Sequence, residues 1–505
     1  MSLPRTLVTL LAAVFMALAA RPTRALQPNP MHIGMKPVLG WSSWSSFRGN
    51  ASAAKDEAEA RAMVSSGLSK LGYRYINQDD GWYQCPGGFA PPRTQGSHLP
   101  SRGAPTVDQW GLWVPNRRFQ APGSANGIKA LADYVHGLGL KFGIYLTPGI
   151  SAEAVAKDTP VEGSAGGRLT GRPSGYTADQ IATRTPEQNY DCGGSESNAG
   201  GMVALNFSSP GAQLFVNSWA DTLASWGVDF IKLDGVRYPL DVPEIRAWAL
   251  ALRQTGRPIV FDTTEGYTVE LAPTLEKYSN QWEEAEDIEC YSCDKGLDND
   301  ETFPVTDAFP LTVWTDPTEK ASLGGGPSKV VSRFDYAAQW QPYAHPGGFN
   351  DLDSVEVGNG SRDGISLSAR QTVLSLWSLA SSPLILGSDL RYLAPEDLAL
   401  LTNRAVLAVD QDGIAARRLR NTPTEQVFAK REHGGVVIVG LFNTSTTNAE
   451  DISVAPSAIG LPAGCAAFSL ENLWTHQVSR TSGQLTAASV PPEGVALFKV
   501  TPRCR

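Results

Sequence analysis

One pattern constrains this chain more than any other. From about residue 36, short apolar runs alternate with amphipathic stretches of helical period, eight times over roughly 370 residues. The apolar runs cover 37–44, 73–82, 141–149, 230–236, 258–266, 277–288, 347–354 and 384–390. The spacing predicts strands there and helices over 54–72, 126–140, 210–227, 243–256, 366–379 and 395–403. Several of these helices open on Pro and close on Gly. Proline's fixed φ suits a first turn, and glycine tolerates the left-handed residue that ends a helix. Such alternation predicts an α/β chain folded as a (β/α)8 TIM barrel with long loops. A doubly wound sheet shares the alternation, but no Gly-x-Gly-x-x-Gly turn follows the first strand.

The runs also begin apolar and end polar, as in Val-Leu-Gly-Trp-Ser-Ser, Tyr-Ile-Asn-Gln-Asp-Asp, Ile-Lys-Leu-Asp-Gly and Gly-Phe-Asn-Asp-Leu-Asp. The C-terminal ends of barrel strands form the active face, so carboxylates gathered there read as a site. The segments at about 150–200 and 290–330 are Gly/Pro/Asp-rich and poorly periodic, which predicts lids, binding loops or insertions. After Asp412 the texture changes to short strands with turn residues between them. The expected organisation is a leader at 1–25, a barrel over 26–412 and an antiparallel β-sandwich over 413–505.

The leader reading rests on Arg5, an apolar run from Leu7 to Ala20, and small residues beside Arg21 and Arg24. Fourteen apolar residues are too few to span a bilayer and suit a secretory signal peptide. Export makes disulfides plausible for the six cysteines. Cys290 and Cys293 are expected to pair locally, Cys465 with Cys504 in the tail, and Cys85 with Cys192 as the remaining two. Sequons at Asn50, Asn206, Asn359 and Asn443 are candidate glycan sites. The balance of 42 basic against 51 acidic residues, net −9, excludes a nucleic-acid partner of the usual basic kind.

Three features carry chemistry. Lys232 and Asp234 lie two apart on a strand and so share a face, where the cation keeps the carboxylate ionised for nucleophilic attack. A structural ion pair is the other reading of that spacing. The stretch Trp282-Glu-Glu-Ala-Glu-Asp-Ile-Glu289 packs five carboxylates, whose mutual repulsion raises pKa values toward those of a general acid. A solvated acidic loop is its other reading. If the strand continues, Glu283 and Asp287 share one face. Asp79 and Asp80, with Trp82 nearby, add hydroxyl-binding groups, and Trp41 and Trp44 offer a stacking surface. A nucleophilic carboxylate paired with an acidic carboxyl is the equipment of a retaining glycosidase.

Gly40-Trp-Ser-Ser-Trp44, Tyr75-Ile-Asn-Gln-Asp-Asp-Gly-Trp82, Lys141-Phe-Gly-Ile-Tyr145, Trp226-Gly-Val-Asp-Phe-Ile-Lys-Leu-Asp-Gly235 and Gly347-Gly-Phe-Asn-Asp-Leu-Asp353 occur in that order. Together they resemble glycoside hydrolase family twenty-seven, the α-galactosidase (melibiase) family. The resemblance spans about 36–412 and continues into Asn472-Leu-Trp474 and Val490-Pro-Pro-Glu-Gly-Val-Ala-Leu-Phe498. It implies a double-displacement mechanism with Asp234 as nucleophile and Asp287 as acid/base. It also implies sugar contacts from Asp79 and Asp80 (O4 and O6), Lys232 (O3 and O4) and Trp41, with Asp351 and Asp353 orienting the site. No metal or other cofactor is implied. The implied partner is a carbohydrate, with no membrane association once the leader is removed. The implied location is secreted, or lysosomal or vacuolar in a eukaryote. A homodimer is left open.

Two departures touch the sugar's O2 side. Glu283 stands where the family has Arg, which exchanges a donor for an acceptor. The strand-five segment Phe261-Asp-Thr-Thr-Glu-Gly266 also does not match. α-Galactosyl hydrolysis is therefore the first expectation. The same mechanism on another sugar, of isomalto-dextranase or β-L-arabinopyranosidase type, is the second. A non-catalytic carbohydrate-binding protein is the third.

Overall fold

A parallel strand that is covered on its outer face by a helix must be apolar along its length, and this chain supplies eight such strands. They are β1 (Leu39–Ser42), β2 (Tyr75–Gln78), β3 (Lys141–Leu146), β4 (Phe230–Leu233), β5 (Val260–Thr263), β6 (Gln281–Glu283), β7 (Phe349–Asp351) and β8 (Leu384–Leu386). Each of the eight falls inside an expected run, and all neighbours pair in parallel. The final seam runs from β8 to the residues just after β7, where Val355 N donates to Ile385 O and Gly387 N to Val355 O. The sheet thus closes into the barrel. The computed structural model describes residues 31–86, 103–120, 127–187, 192, 201–236, 240–264, 266–293, 310–321, 323, 325–462 and 465–504. The expected leader and Glu265 lie outside them.

The strands are shorter than the apolar runs predict. Their polar C-terminal residues leave the ladder to serve the site. The run at 277–288 is the largest correction. It opens with the end of a helix (Ala272–Tyr278), holds only three strand residues, and continues as an irregular segment. The outer helices are α1 (Ala53–Ser65), α2 (Gly127–Gly137), α3 (Pro210–Trp226), α4 (Val242–Gln254), α5 (Ala272–Tyr278), α6 (Arg333–Trp340), α7 (Leu367–Ala380) and α8 (Pro395–Leu401). Their ends follow local chemistry. Ser52 caps α1 by accepting from Lys55 N, and Asp241 caps α4 by accepting from Glu244 N. Gly227 closes α3 at φ 88.

The described part of the 150–200 segment is not a plain loop. Ile150–Ser151, Met202–Leu205 and Ala182–Pro186 form a small antiparallel sheet, and Pro160–Ser164 pairs with Leu169–Thr177 as a hairpin. The hairpin's second strand is largely exposed, so it lacks the apolar alternation by which a strand is read. Between 310 and 330, Asp316–Lys320 pairs with Pro327–Ser328.

The C-terminal strands are β9 (Arg417–Asn421), β10 (Glu425–Arg431), β11 (Val437–Asn443), β12 (Glu450–Val454), β13 (Ala467–Asn472), β14 (Val478–Thr481), β15 (Leu485–Val490) and β16 (Val495–Arg503). An antiparallel sheet β9-β10-β11-β16-β13-β14 faces the pair β12-β15 across a core that includes Val439, Leu441, Ile452, Leu485 and Val500. Phe428 and Phe442 pack on Phe334 of α6, with ring centroids 6.2 and 5.1 Å away. Lys430 is buried in the same seam, donating to Val409 O, Ile414 O and the Asp412 carboxylate. The three expected disulfides are all present: Cys85–Cys192, Cys290–Cys293 and Cys465–Cys504. No helix among the described residues is long and apolar enough to cross a membrane. Asn443 does not suit glycosylation in the folded chain. It is fully buried, and its amide nitrogen donates to Asn448 O, Val490 O and Pro491 O.

Candidate active site

A pocket opens at the C-terminal end of the barrel. Its walls include Asn77, Asp79, Lys232, Asp262, Thr264, Gln281, Glu283, Asp351 and Asp353, with Ile144, Phe230 and Ile385 beneath. Register explains the grouping. Lys232 pairs with Asp262 across β4 and β5, and Glu283 pairs with Asp351 across β6 and β7. Side chains on paired residues of a parallel sheet share a face.

Lys232 Nζ lies 3.1 Å from Asp79 Oδ2, which also accepts from Ser42 Oγ at 3.3 Å. Burial by itself would lower the lysine pKa, but Asp79, Asp234, Glu283 and Asp287 outweigh it and raise the pKa well above the usual value. The ammonium is therefore held charged. Asp234 sits just past β4, its backbone N–H still bonded to Leu146 O at 2.8 Å. Its Oδ1 accepts from Gly235 N at 3.0 Å and from Thr264 Oγ1. No described donor occupies its other oxygen. Burial raises its pKa, and Lys232 and the Thr264 hydroxyl oppose that rise.

Asp287 lies on the irregular segment after β6. Its Oδ2 accepts from the Tyr291 hydroxyl at 2.6 Å, and its backbone carbonyl accepts from Lys329 Nζ at 2.8 Å. Tyr291 OH in turn accepts from Trp44 Nε1 at 2.8 Å, and the Arg48 guanidinium lies over both rings. Tyr291 falls between Cys290 and Cys293, so their disulfide anchors the segment that carries it. Although the strand ends at Glu283, carboxylate oxygens of Glu283, Asp287 and Asp353 lie within 4.8 Å of one another. These three acids are brought together by the loop's return. The strand continuation that would have aligned them is absent.

Like charges crowd this end of the barrel. Glu283 is 4% exposed, and its Oε1 has no hydrogen-bond partner. Burial, then Asp353 and Asp287, raise its pKa well above the carboxylate range. Burial pushes Asp353 up to about 8 and Asp351 up to about 6. Asp351 Oδ1 accepts from Asp353 N, and Asp353 Oδ2 accepts from Ile288 N, so the two acids pin the segments around them. Asp353 adopts φ 74, a left-handed conformation that turns the chain back at the pocket rim.

Two sequence expectations are corrected. Trp41 walls no pocket: it is 0% exposed, packs edge-on against Phe47 and donates its indole N–H to Ser388 O. Asp80 does not line the pocket either. Its Oδ1 accepts from Gly81 N and Tyr83 OH, which commits it to its own turn. Trp44 is half-buried and donates its indole N–H to the Tyr291 hydroxyl, which it orients. Sequence reading also missed several groups. Asp262 lines the pocket with an unpartnered Oδ1, and Gln281 fixes Asp351 through a 2.7 Å hydrogen bond. Arg333, fully buried on α6, faces Asp353 at 3.9 Å but spends its donors on Leu352 O, Glu286 O and Ser332 Oγ. It does not replace the guanidinium absent at 283.

The family model described as the α-galactosidase C-terminal β-sandwich domain matches residues 422–500, and the one described as α-galactosidase A matches 328–412. The chain is 29% identical over 473 residues to an α-galactosidase of Oryza sativa, covering 93% of this chain and 86% of that one. It is 26% identical to an α-N-acetylgalactosaminidase of Gallus gallus, covering 92% and 94%. A β-L-arabinopyranosidase structure from Geobacillus stearothermophilus aligns at 25% identity and TM-score 0.73, covering 93% of this chain and 97% of that one. Barrel, β domain and the carboxylates at the strand ends agree with these matches: the chain is similar to the α-galactosidases and to solved structures of glycoside hydrolase family 27.

Proposed function

We propose that this protein is an exported retaining glycosidase that releases terminal α-D-galactosyl residues. The observation that carries the reading is the disposition of two carboxylates. Asp234 has one oxygen fixed by Gly235 N and Thr264 and the other open. Asp287 stands within its electrostatic reach, oriented by Tyr291. In the first step the open oxygen of Asp234 attacks the anomeric carbon. The leaving oxygen departs with the proton supplied by Asp287. In the second, Asp287 takes a proton from water, the resulting hydroxide oxygen bonds to the anomeric carbon, and Asp234 leaves as carboxylate. Two inversions give net retention. Lys232 keeps the nucleophile ionised and, with Asp79, meets the sugar hydroxyls.

The pocket's unpartnered oxygens support an unsubstituted sugar. Asp262 Oδ1, Glu283 Oε1, Asn77 Oδ1 and Gln78 Oε1 are acceptors without donors. Hydroxyls donate to these oxygens and also accept from a protonated carboxyl, whereas an acetamido group brings a single N–H donor to four open oxygens. A second reading is favoured by Asp80. With that carboxylate committed to Gly81 and Tyr83, a sugar that lacks the exocyclic hydroxymethyl loses nothing, which suits a β-L-arabinopyranoside. Rates on nitrophenyl α-galactoside, β-L-arabinopyranoside and N-acetyl-α-galactosaminide, and on dextran, test both. We expect the galactoside to have the highest kcat/KM and the acetamido sugar to be turned over poorly. Faster turnover of the acetamido sugar or of dextran would overturn the assignment.

A further inference from the structure

A second group of carboxylates lies away from the sugar pocket. Glu187 follows the inserted strand Ala182–Pro186, Asp241 caps α4, and Glu244 sits in that helix's first turn. These residues come from two distant stretches of chain, yet one carboxylate oxygen of each lies within 4.8 Å of the others. We propose that Glu187, Asp241 and Glu244 bind a divalent cation of the calcium type, which ties the inserted sheet to the barrel helix after β4.

The independent observation is at Glu244. This residue is 1% exposed. Its Oε1 accepts from Gly149 N at 2.8 Å and from Trp248 Nε1 at 3.4 Å. Those donors orient the carboxylate and leave Oε2 buried with no partner. An unpartnered buried carboxylate oxygen is costly, and neighbouring acids make it worse. Neither Lys, Arg nor His pairs with any of the three among the described residues. Burial raises the pKa of all three, reinforced at Glu187 by Asp241 and at Glu244 by Glu187 and Asp241, and lifts Glu187 to about 7. A bound dication reverses that balance by supplying the missing positive charge.

The surrounding backbone is shaped for close approach. Gly149 has φ 90, and a Cβ there would meet Val203 O at 2.5 Å and Glu187 Cγ at 2.8 Å. The all-oxygen donor set excludes a soft-metal site, and three carboxylates with further positions open suit Ca2+ better than a rigid octahedral ion.

Trp248 makes the site testable by luminescence, because its indole touches Glu244. The chelator-stripped full-length protein is titrated with Tb3+ under tryptophan excitation, then back-titrated with Ca2+, and its Tm is measured with and without Ca2+. We expect saturable sensitised emission displaced by Ca2+, and a Tm rise of at least about 3 °C with Ca2+. Glu187→Gln should weaken Ca2+ at least tenfold, while Glu283→Gln, in the other carboxylate group, should leave the Ca2+ response intact. If Ca2+ neither displaces Tb3+ nor shifts Tm, the proposal fails. It fails equally if Glu283→Gln abolishes the response and Glu187→Gln keeps it, because the ion then occupies the sugar pocket.

Discussion

Tyr291 shows what a single residue adds to the site. It touches no reacting atom in the proposed mechanism, yet its hydroxyl holds Asp287 and is itself held by Trp44. A hydrogen bond to a charged group contributes about 1.5–3 kcal/mol. Tyr291→Phe should therefore lower kcat by roughly tenfold or more and move the limb of the pH–rate profile governed by the acid, with KM little changed. A loss confined to KM would mean that Tyr291 binds sugar instead. Asp287→Asn should reduce kcat by about 10²–10⁴-fold on substrates with poor leaving groups, and less on activated aryl glycosides, as expected for lost protonation. At this scale the acids at strand ends, such as Asp79, Asp234 and Asp351, were legible in the sequence, because an apolar run that ends in Asp places it at a strand's C-terminal end, whereas Asp287 reaches the site on the irregular segment after β6. The tryptophans were not. Trp41 and Trp44 lie three residues apart, and only the packing decides that Trp41 is core and that Trp44 orients a tyrosine. Tyr291 carries no spacing signal at all, since a disulfide-bounded loop brings it back to Asp287.

The elements do more than hold side chains. β3 approaches β2 so closely at Gly143 that a Cβ there would overlap Asn77 Oδ1 and lie 3.1 Å from Phe230 Cβ. Asn77 and Phe230 both line the pocket. Gly143→Ala should cost about 1–3 kcal/mol in denaturant unfolding and lower kcat/KM by displacing Asn77. Unchanged stability would show that β2 and β3 tolerate separation there. All eight barrel strands could be read from apolar runs, since a strand buried on both faces has no other composition. Their ends could not, because the polar residues that close each run belong chemically to the pocket. The inserted sheet at 150–205 was illegible for the opposite reason. Its hairpin is exposed, so no burial pattern marks it.

The molecule as a whole concentrates buried acids, and that sets its response to pH. Asp353 is raised to about 8 and Asp351 to about 6, burial being the main cause in each. Between the unfolded carboxylate value near ~4 and these raised values, the folded state binds protons that the unfolded state has released. Stability contributed by these groups is therefore greatest in acid and falls as pH rises through that window. Thermal unfolding should give a Tm that declines from about pH 5 to pH 8. Asp353→Asn should flatten the decline. A Tm that rises over that range would contradict the assignment of these acids as protonated in the fold.

The central claim is that Asp234 becomes covalently bound to the sugar. It is tested most directly by trapping the protein with a fluorinated galactosyl fluoride that reacts quickly and hydrolyses slowly, then locating the adduct by peptide mass spectrometry. The account predicts a single glycosyl ester on Asp234, absent from Asp234→Asn. An adduct on Asp262 or Glu283, or turnover of the reagent by Asp234→Asn at the native rate, would contradict it.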